Sequence, residues 1–158
     1  SIEKTDQLIS KIYDTLKKQE NKNNRSFSIL YFSDHGLEKN PQLNSIYMHG
    51  SRNPSKEAYQ VPQFIWYSQQ ALNTQKRSVG WVHEAWPTAS NYELMLTWLG
   101  ITTGVDQCSS VLAACYQAPT LIPVIDGGRH IYDYDQLRET FSSPDRHTPW
   151  RKAKASSL

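Results

Sequence analysis

Residues 27–36 read Phe-Ser-Ile-Leu-Tyr-Phe-Ser-Asp-His-Gly, and no other stretch constrains this chain as strongly. Five large apolar residues, Phe27, Ile29, Leu30, Tyr31 and Phe32, fall within six positions. That density suits a strand buried on both faces. The run then stops in an acid, an imidazole and a glycine. Glycine lets the backbone turn where a side chain would clash. Asp34 and His35 are therefore expected at the carboxyl end of a central strand, the edge at which open α/β sheets bind ligands. An Asp oxygen with a His nitrogen suits zinc or manganese better than calcium.

The pair also has a plainer reading, as a turn or helix-capping residue beside a solvated ring. Ser33 cannot join His35 and Asp34 in a catalytic triad, because neighbouring strand residues point to opposite faces. No G-x-S-x-G elbow occurs in the chain. Two later blocks strengthen the metal reading. Tyr47-Met48-His49-Gly50 repeats the His-Gly pair fourteen residues after His35. Residues 61–68 then give Val-Pro followed by an aromatic-rich strand ending in Ser68.

These three blocks, residues 31–36, 47–50 and 61–68, resemble in order and spacing the C-terminal part of the bacterial phosphoethanolamine transferases. Those enzymes are sulfatase-like, membrane-anchored members of the alkaline phosphatase superfamily. The resemblance implies an α/β fold: a partial α/β/α sandwich with a mostly parallel central sheet and a C-terminal β-hairpin, of the alkaline phosphatase/sulfatase type. Residues 1–141 would be the C-terminal portion of the catalytic domain and residues 142–158 a poorly ordered tail. It implies that Asp34 and His35 are ligands of a catalytic Zn2+, with Mn2+ as the alternative, and that His49 lies beside the substrate phosphate or a second metal. The implied reaction moves phosphoethanolamine from phosphatidylethanolamine to a lipid A or sugar acceptor at the periplasmic face of the inner membrane. A sulfatase or phosphatase-type hydrolase, and a non-catalytic binding domain that keeps the fold, are the alternatives. The family's nucleophilic threonine, its remaining carboxylate ligands and its membrane helices match no segment here, so they are expected upstream and this piece is expected to be inactive alone. Two departures touch the substrate side more than the metal pair. Leu37-Glu38 stands where the family has Glu-Ser, and Ser51-Arg52-Asn53-Pro54 where it often has Thr-Pro.

Composition sets outer bounds. A chain of 158 residues with 38% hydrophobic and 20% charged residues has the makeup of one ordinary globular domain. A net charge of +2 makes no case for nucleic acid as a partner. No apolar run approaches the ~20 residues that span a bilayer. No signal peptide opens the chain, and Ser1-Ile2-Glu3 reads as an artificial or processing boundary. Cys108 and Cys115 suit either a small disulfide loop or two buried thiols, and the periplasmic resemblance favours the disulfide.

The remaining elements follow from periodicity and punctuation. Residues 1–19 predict a helix with Leu8, Ile9, Ile12, Tyr13 and Leu16 on one face, followed by a polar loop over 20–26. Residues 37–60 predict a long functional loop anchored at Ile46-Tyr47-Met48, with Arg52 either solvated or holding a phosphate oxygen. A short helix is expected near 69–73. Trp81 and Trp86 read as packing residues and His83 as structural. Residues 88–101 predict a helix with a Ser90/Glu93 capping box, a stripe of Leu94, Met95, Trp98 and Leu99, and a stop at Gly100. Residues 121–125 and 129–134 predict a hairpin about Asp126-Gly127-Gly128, with Pro123 on an edge, and residues 135–141 a helical turn. A sheet edge left uncovered in this piece is expected to make it self-associate.

Overall fold

The computed structural model describes residues 2–40, 42–43, 45–75, 79–82, 85–101 and 107–139. It divides into two compact units. One is Ser1–Ser33 with Pro62–Thr120, the other Asp34–Val61 with Leu121–Leu158. The expected tail at 142–158 and His83 lie outside the described residues.

The first unit opens with helix α1, Ile2–Asn23. It runs four residues past its expected end, through Glu20 and the polar run after it. Asn24 stops it at φ 52, the left-handed conformation that Asn tolerates after a helix, and its amide bonds to the Glu20 carbonyl at 2.8 Å. The covered stripe is Thr5, Ile9, Tyr13, Leu16, Lys17 and Glu20, whereas Leu8 and Ile12 face solvent.

Strand β1, Ser28–Phe32, follows and pairs antiparallel with β4, Gln63–Tyr67, in the register Ser28↔Tyr67 to Phe32↔Gln63. β1 is half-buried rather than buried on both faces. The expected mostly parallel sheet does not appear among the described residues, where all three ladders are two-stranded and antiparallel. The reason lies in the connection. A parallel neighbour needs a crossover, usually a helix, and the described residues of 33–62 form no α-helix. The mixed α/β character itself is as expected.

Aromatic and polar contacts align this unit. Tyr13 stacks on Trp66 with centroids 4.3 Å apart and meets Phe27 edge-on at 5.7 Å. Tyr31 and Phe64 stack across the ladder at 5.1 Å. Helix α2, Gln69–Gln75, starts at buried Ser68, whose hydroxyl accepts from the amides of Ala71 and Phe27. Helix α3, Asn91–Trp98, is shorter than expected, because residues 88–90 form a 3-10 turn and Ser90 makes no side-chain cap. The capping box therefore does not form. Gly100, at φ 74, ends the helix as expected. Only Leu94 of the stripe is fully buried, and Met95 and Leu99 are exposed. Asn91 takes the place of an apolar contact: its buried Oδ1 accepts from Gln63 Nε2 at 3.0 Å and Trp86 Nε1 at 2.9 Å. Trp98 Nε1 donates to Ser28 Oγ at 2.9 Å, tying α3 to β1. Trp86 packs on Tyr116 as expected, but Trp81 is 77% exposed. Cys108 and Cys115 form a disulfide.

Among the described residues the second unit holds two short hairpins and two 3-10 turns, one of them at Lys56–Ala58. β2, Glu38–Lys39, pairs with β3, Tyr47–Met48. β5, Pro123–Ile125, pairs with β6, Ile131–Asp133, about the expected turn. That hairpin is a ladder of its own and does not extend the β1–β4 sheet. A 3-10 turn at Tyr134–Gln136 follows where a helical turn was expected.

Leu94 is 1% exposed and has no polar substitute for its contacts. Leu94→Ala is expected to cost about 2–5 kcal/mol in urea unfolding followed by tryptophan fluorescence. A change under about 1 kcal/mol would show that this unit does not depend on its small core.

Candidate functional site

Asp34 and His35 open the second unit, directly after the turn out of β1. Two geometric devices fix them. Gly36 donates its amide to the Ala58 carbonyl at 3.0 Å, and a Cβ at Gly36 would run into the Glu57 and Gln60 carbonyls. Only glycine fits there. The Asp34 carboxylate accepts from the His35 amide at 3.0 Å through Oδ1. His35 Nδ1 lies 3.0 Å from the Gly36 carbonyl, which can only accept, so Nδ1 carries the proton in this contact. In the neutral ring Nε2 is then the acceptor nitrogen. It sits 3.8 Å from Asp34 Oδ2.

His49 comes to the same place. Asn40 Oδ1 accepts from the amides of Gln42 and Leu43, and Asn40 N bonds to the Ile46 carbonyl at 2.8 Å. That turn folds β3 back along β2. The β2–β3 pairing between the two histidines closes a hairpin, and the imidazoles stack at 4.2 Å with planes 23° apart. All three residues singled out in the sequence are thus neighbours.

What holds the His49 segment was not visible in the sequence. Glu38 is 0% exposed. Its Oε1 accepts from the Ser51 hydroxyl, and its Oε2 from the Ser55 amide at 2.7 Å and from Arg138 Nη2 at 3.2 Å. Arg138 also donates to the Asn53 carbonyl, through Nε at 3.3 Å and Nη2 at 3.1 Å. Lys56 adds a salt bridge to Glu139 at 2.9 Å, which raises the lysine pKa through that hydrogen bond. The hairpin turn supplies the last support. Gly127 donates to the Ser51 carbonyl at 3.0 Å, with no room for a Cβ against Gly50, itself at φ 71. The family pattern expected an acid one position earlier. Its displacement to Glu38 puts the carboxylate on the inward side of β2.

The donor chemistry can be tested against zinc. Two ligands at about 2.0–2.2 Å from a tetrahedral ion stand roughly 3.3–3.5 Å apart. The 3.8 Å between Asp34 Oδ2 and His35 Nε2 is close to that, and the Nδ1 anchor to a carbonyl is the usual support for a metal-binding imidazole. Among the described residues no group of three or more His, Cys, Asp or Glu side chains converges. Asp34 and His35 therefore fit as part of a coordination shell. His49 stacks on His35 and does not complete a three-residue group with the pair.

The comparisons agree with this architecture. The family described as Sulfatase matches residues 1–105. The chain is 33% identical over 150 residues to the "Putative transferase YhbX" of Escherichia coli K12 and of O157:H7. The alignment takes in 94% of this chain and 26% of each relative, so the chain spans about a quarter of their length. It is 36% identical over 73 residues, 46% of this chain and 15% of the relative, to the "Putative phosphoethanolamine transferase" of Haemophilus influenzae. In structure it resembles the C-terminal periplasmic domain of EcEptC from Escherichia coli, with TM-score 0.52 and 24% identity over 77% of this chain and 36% of that one. The fold is thus of the sulfatase/alkaline phosphatase type. The chain belongs to the sulfatase family, a family of enzymes. No helix among the described residues is long and apolar enough to cross a membrane.

Glu38→Ala would leave Arg138, a third of whose side chain is exposed, without its carboxylate. The expected cost is about 2–4 kcal/mol in urea unfolding, below the full range for a buried pair because Arg138 keeps some water. Glu38→Gln, which keeps the shape, should cost less. Equal stability of both variants and the parent would show that the network is incidental.

Proposed function

We propose that this chain carries part of the catalytic domain of a metal-dependent phosphoethanolamine transferase. Its donor would be phosphatidylethanolamine and its acceptor a lipid A or sugar group, at the periplasmic face of the bacterial inner membrane. The observation that carries the reading is the Asp34–His35 pair with Nδ1 tied to the Gly36 carbonyl, stacked against His49. Asp34 and His35 would hold Zn2+, or Mn2+ in its place. When bound, the ion supplies positive charge against the phosphorus oxygens and a lower pKa for the attacking hydroxyl. The chain's own residues do the rest. Asp34 would bring one negative charge and His35 a neutral nitrogen, so this pair offsets half of the ion's double charge. His49, aligned beside the pair rather than into it, donates a hydrogen bond to the substrate phosphate. The relatives' names support transfer of phosphoethanolamine. The family's description supports the second reading, a hydrolase of sulfate or phosphate esters on the same residues.

Isothermal titration with zinc tests the pair without any need for turnover. Binding is expected in the parent chain, lost in Asp34→Ala and in His35→Ala, and within about twofold of the parent in His49→Ala. Retention in His35→Ala would remove the metal site and the reading built on it.

Among the described residues β1 and β4 each pair along one edge, and large apolar side chains such as Trp66 (43% exposed) and Phe32 (40%) are uncovered. We infer that this chain self-associates when isolated. Light scattering across a concentration series should give a mass that climbs above the monomer, and a constant monomer mass would refute the inference.

A further inference from the structure

The β5–β6 turn contains a second carboxylate–imidazole pair, which the sequence presents only as a hairpin signal. Asp126 has a fully buried side chain. Its Oδ1 accepts from the amides of Gly128 at 2.7 Å and His130 at 2.8 Å. Its Oδ2 accepts from His130 Nδ1 at 3.1 Å and Tyr132 Oη at 3.3 Å. Burial pushes this carboxyl upward, but the bonds from His130 and Gly128 outweigh it and hold the pKa below the usual carboxylate value. The His130 ring, by contrast, is 68% exposed. With Nδ1 donating to the carboxylate, Nε2 points away from it, and no partner for Nε2 stands among the described residues. Three other donors already satisfy Asp126, so the ring is not needed to pair a buried charge.

The surroundings of this ring are cationic. Arg129 precedes it at φ 67, a conformation that usually goes to Gly or Asn, and its side chain is exposed. The turn is bonded through Gly127 to the Ser51 carbonyl. That neighbouring turn carries His49 and Arg52, both exposed. Residues 49–53 and 126–132 thus bring His49, Arg52, Arg129 and His130 onto two turns in backbone contact, and the one acid in either stretch is buried Asp126. Neither Arg52 nor Arg129 meets a carboxylate among the described residues. Two exposed guanidiniums that meet no carboxylate among the described residues, beside a ring oriented from behind by a buried carboxylate, suit an anion.

We propose that these paired turns bind a phosphate monoester dianion. Arg52 and Arg129 supply guanidinium donors, and His130, its Nδ1–H held by Asp126, supplies a second donor through Nε2–H in its imidazolium form. The site gains its purpose from the transferase reading: a transferase acting on a phosphate-bearing acceptor must hold that phosphate as well as the donor's. The binding itself does not require zinc.

Amide and imidazole NMR of the whole chain, titrated with inorganic phosphate in metal-free buffer, tests it. Shifts are expected at Gly50, Ser51, Gly127 and the His130 ring. Affinity should fall about tenfold in Arg129→Gln and in His130→Gln, the size of one charge-assisted contact, while the remaining amide spectrum stays put. Asp126→Asn, which keeps the size but removes the charge and replaces one accepting oxygen by a donating Nδ2, should weaken binding as well. Vesicles of phosphatidylcholine with phosphatidic acid form the second arm. Binding to them that the same variants weaken assigns the phosphate to a lipid headgroup, and binding to inorganic phosphate alone assigns it to a soluble ester. Shifts confined to other residues, or unchanged affinity in both Arg129→Gln and His130→Gln, overturn the proposal. Loss of the zinc site with phosphate binding intact would sink the transferase reading and leave this receptor standing.

Discussion

Both carboxylate oxygens of Glu38 are out of water, and both are in use. A carboxylate in that position is costly unless every lone pair finds a donor. Ser51, Ser55 and Arg138 are the donors, and each is thereby fixed. Fixing Ser51 fixes the turn at Gly50, which sets where His49 points. Fixing Arg138 brings residues 138–139 beside residues 53–56, through the Asn53 carbonyl and the Ser55↔Arg138 bridge. An apolar plug of equal volume would give comparable stability. It would not define the direction of a turn to a fraction of an ångström, because apolar contacts are not directional.

The first unit is aligned in a similar way with different groups. Its fully buried apolar residues are few, Leu94 and Ala71 among them. Much of the alignment comes from polar side chains with defined partners, Asn91 between Gln63 and Trp86, and Ser68 between Phe27 and Ala71. The Tyr13–Trp66 stack sets α1 against the ladder. In both units, then, register is set by hydrogen bonds and ring geometry more than by bulk burial.

Much of this was legible in residue order, and the reasons are physical. Strand β1 showed itself because five large apolar residues in six positions have few other uses. The β5–β6 hairpin showed itself because Asp-Gly-Gly between two β-prone runs has a direct turn meaning. Asp34 and His35 were placed by the end of that strand, and His49 joined them through the resemblance to the phosphoethanolamine transferases. What failed were inferences that need a third dimension. Leu8, Ile12, Met95 and Leu99 fit helical periodicity, but periodicity gives a face and not what covers it. Trp81 is apolar and exposed, which composition cannot foresee. The expected parallel sheet assumed a crossover, and residues 33–62 return without one. Glu38 and Arg138 were invisible because they are 100 positions apart, and an ion pair leaves no local pattern.

That separation also bears on the order in which the molecule can be made. At about 5–20 residues per second, Arg138 leaves the ribosome roughly 5–20 seconds after Glu38. Gly127, whose amide steadies the Ser51 carbonyl, is also late. Throughout that interval the segment bearing His49 has the β2–β3 pairing but neither its counter-charge nor its backstop. The first unit, complete by Thr120, has time to assemble first. The nascent chain therefore closes the loop around its histidines last.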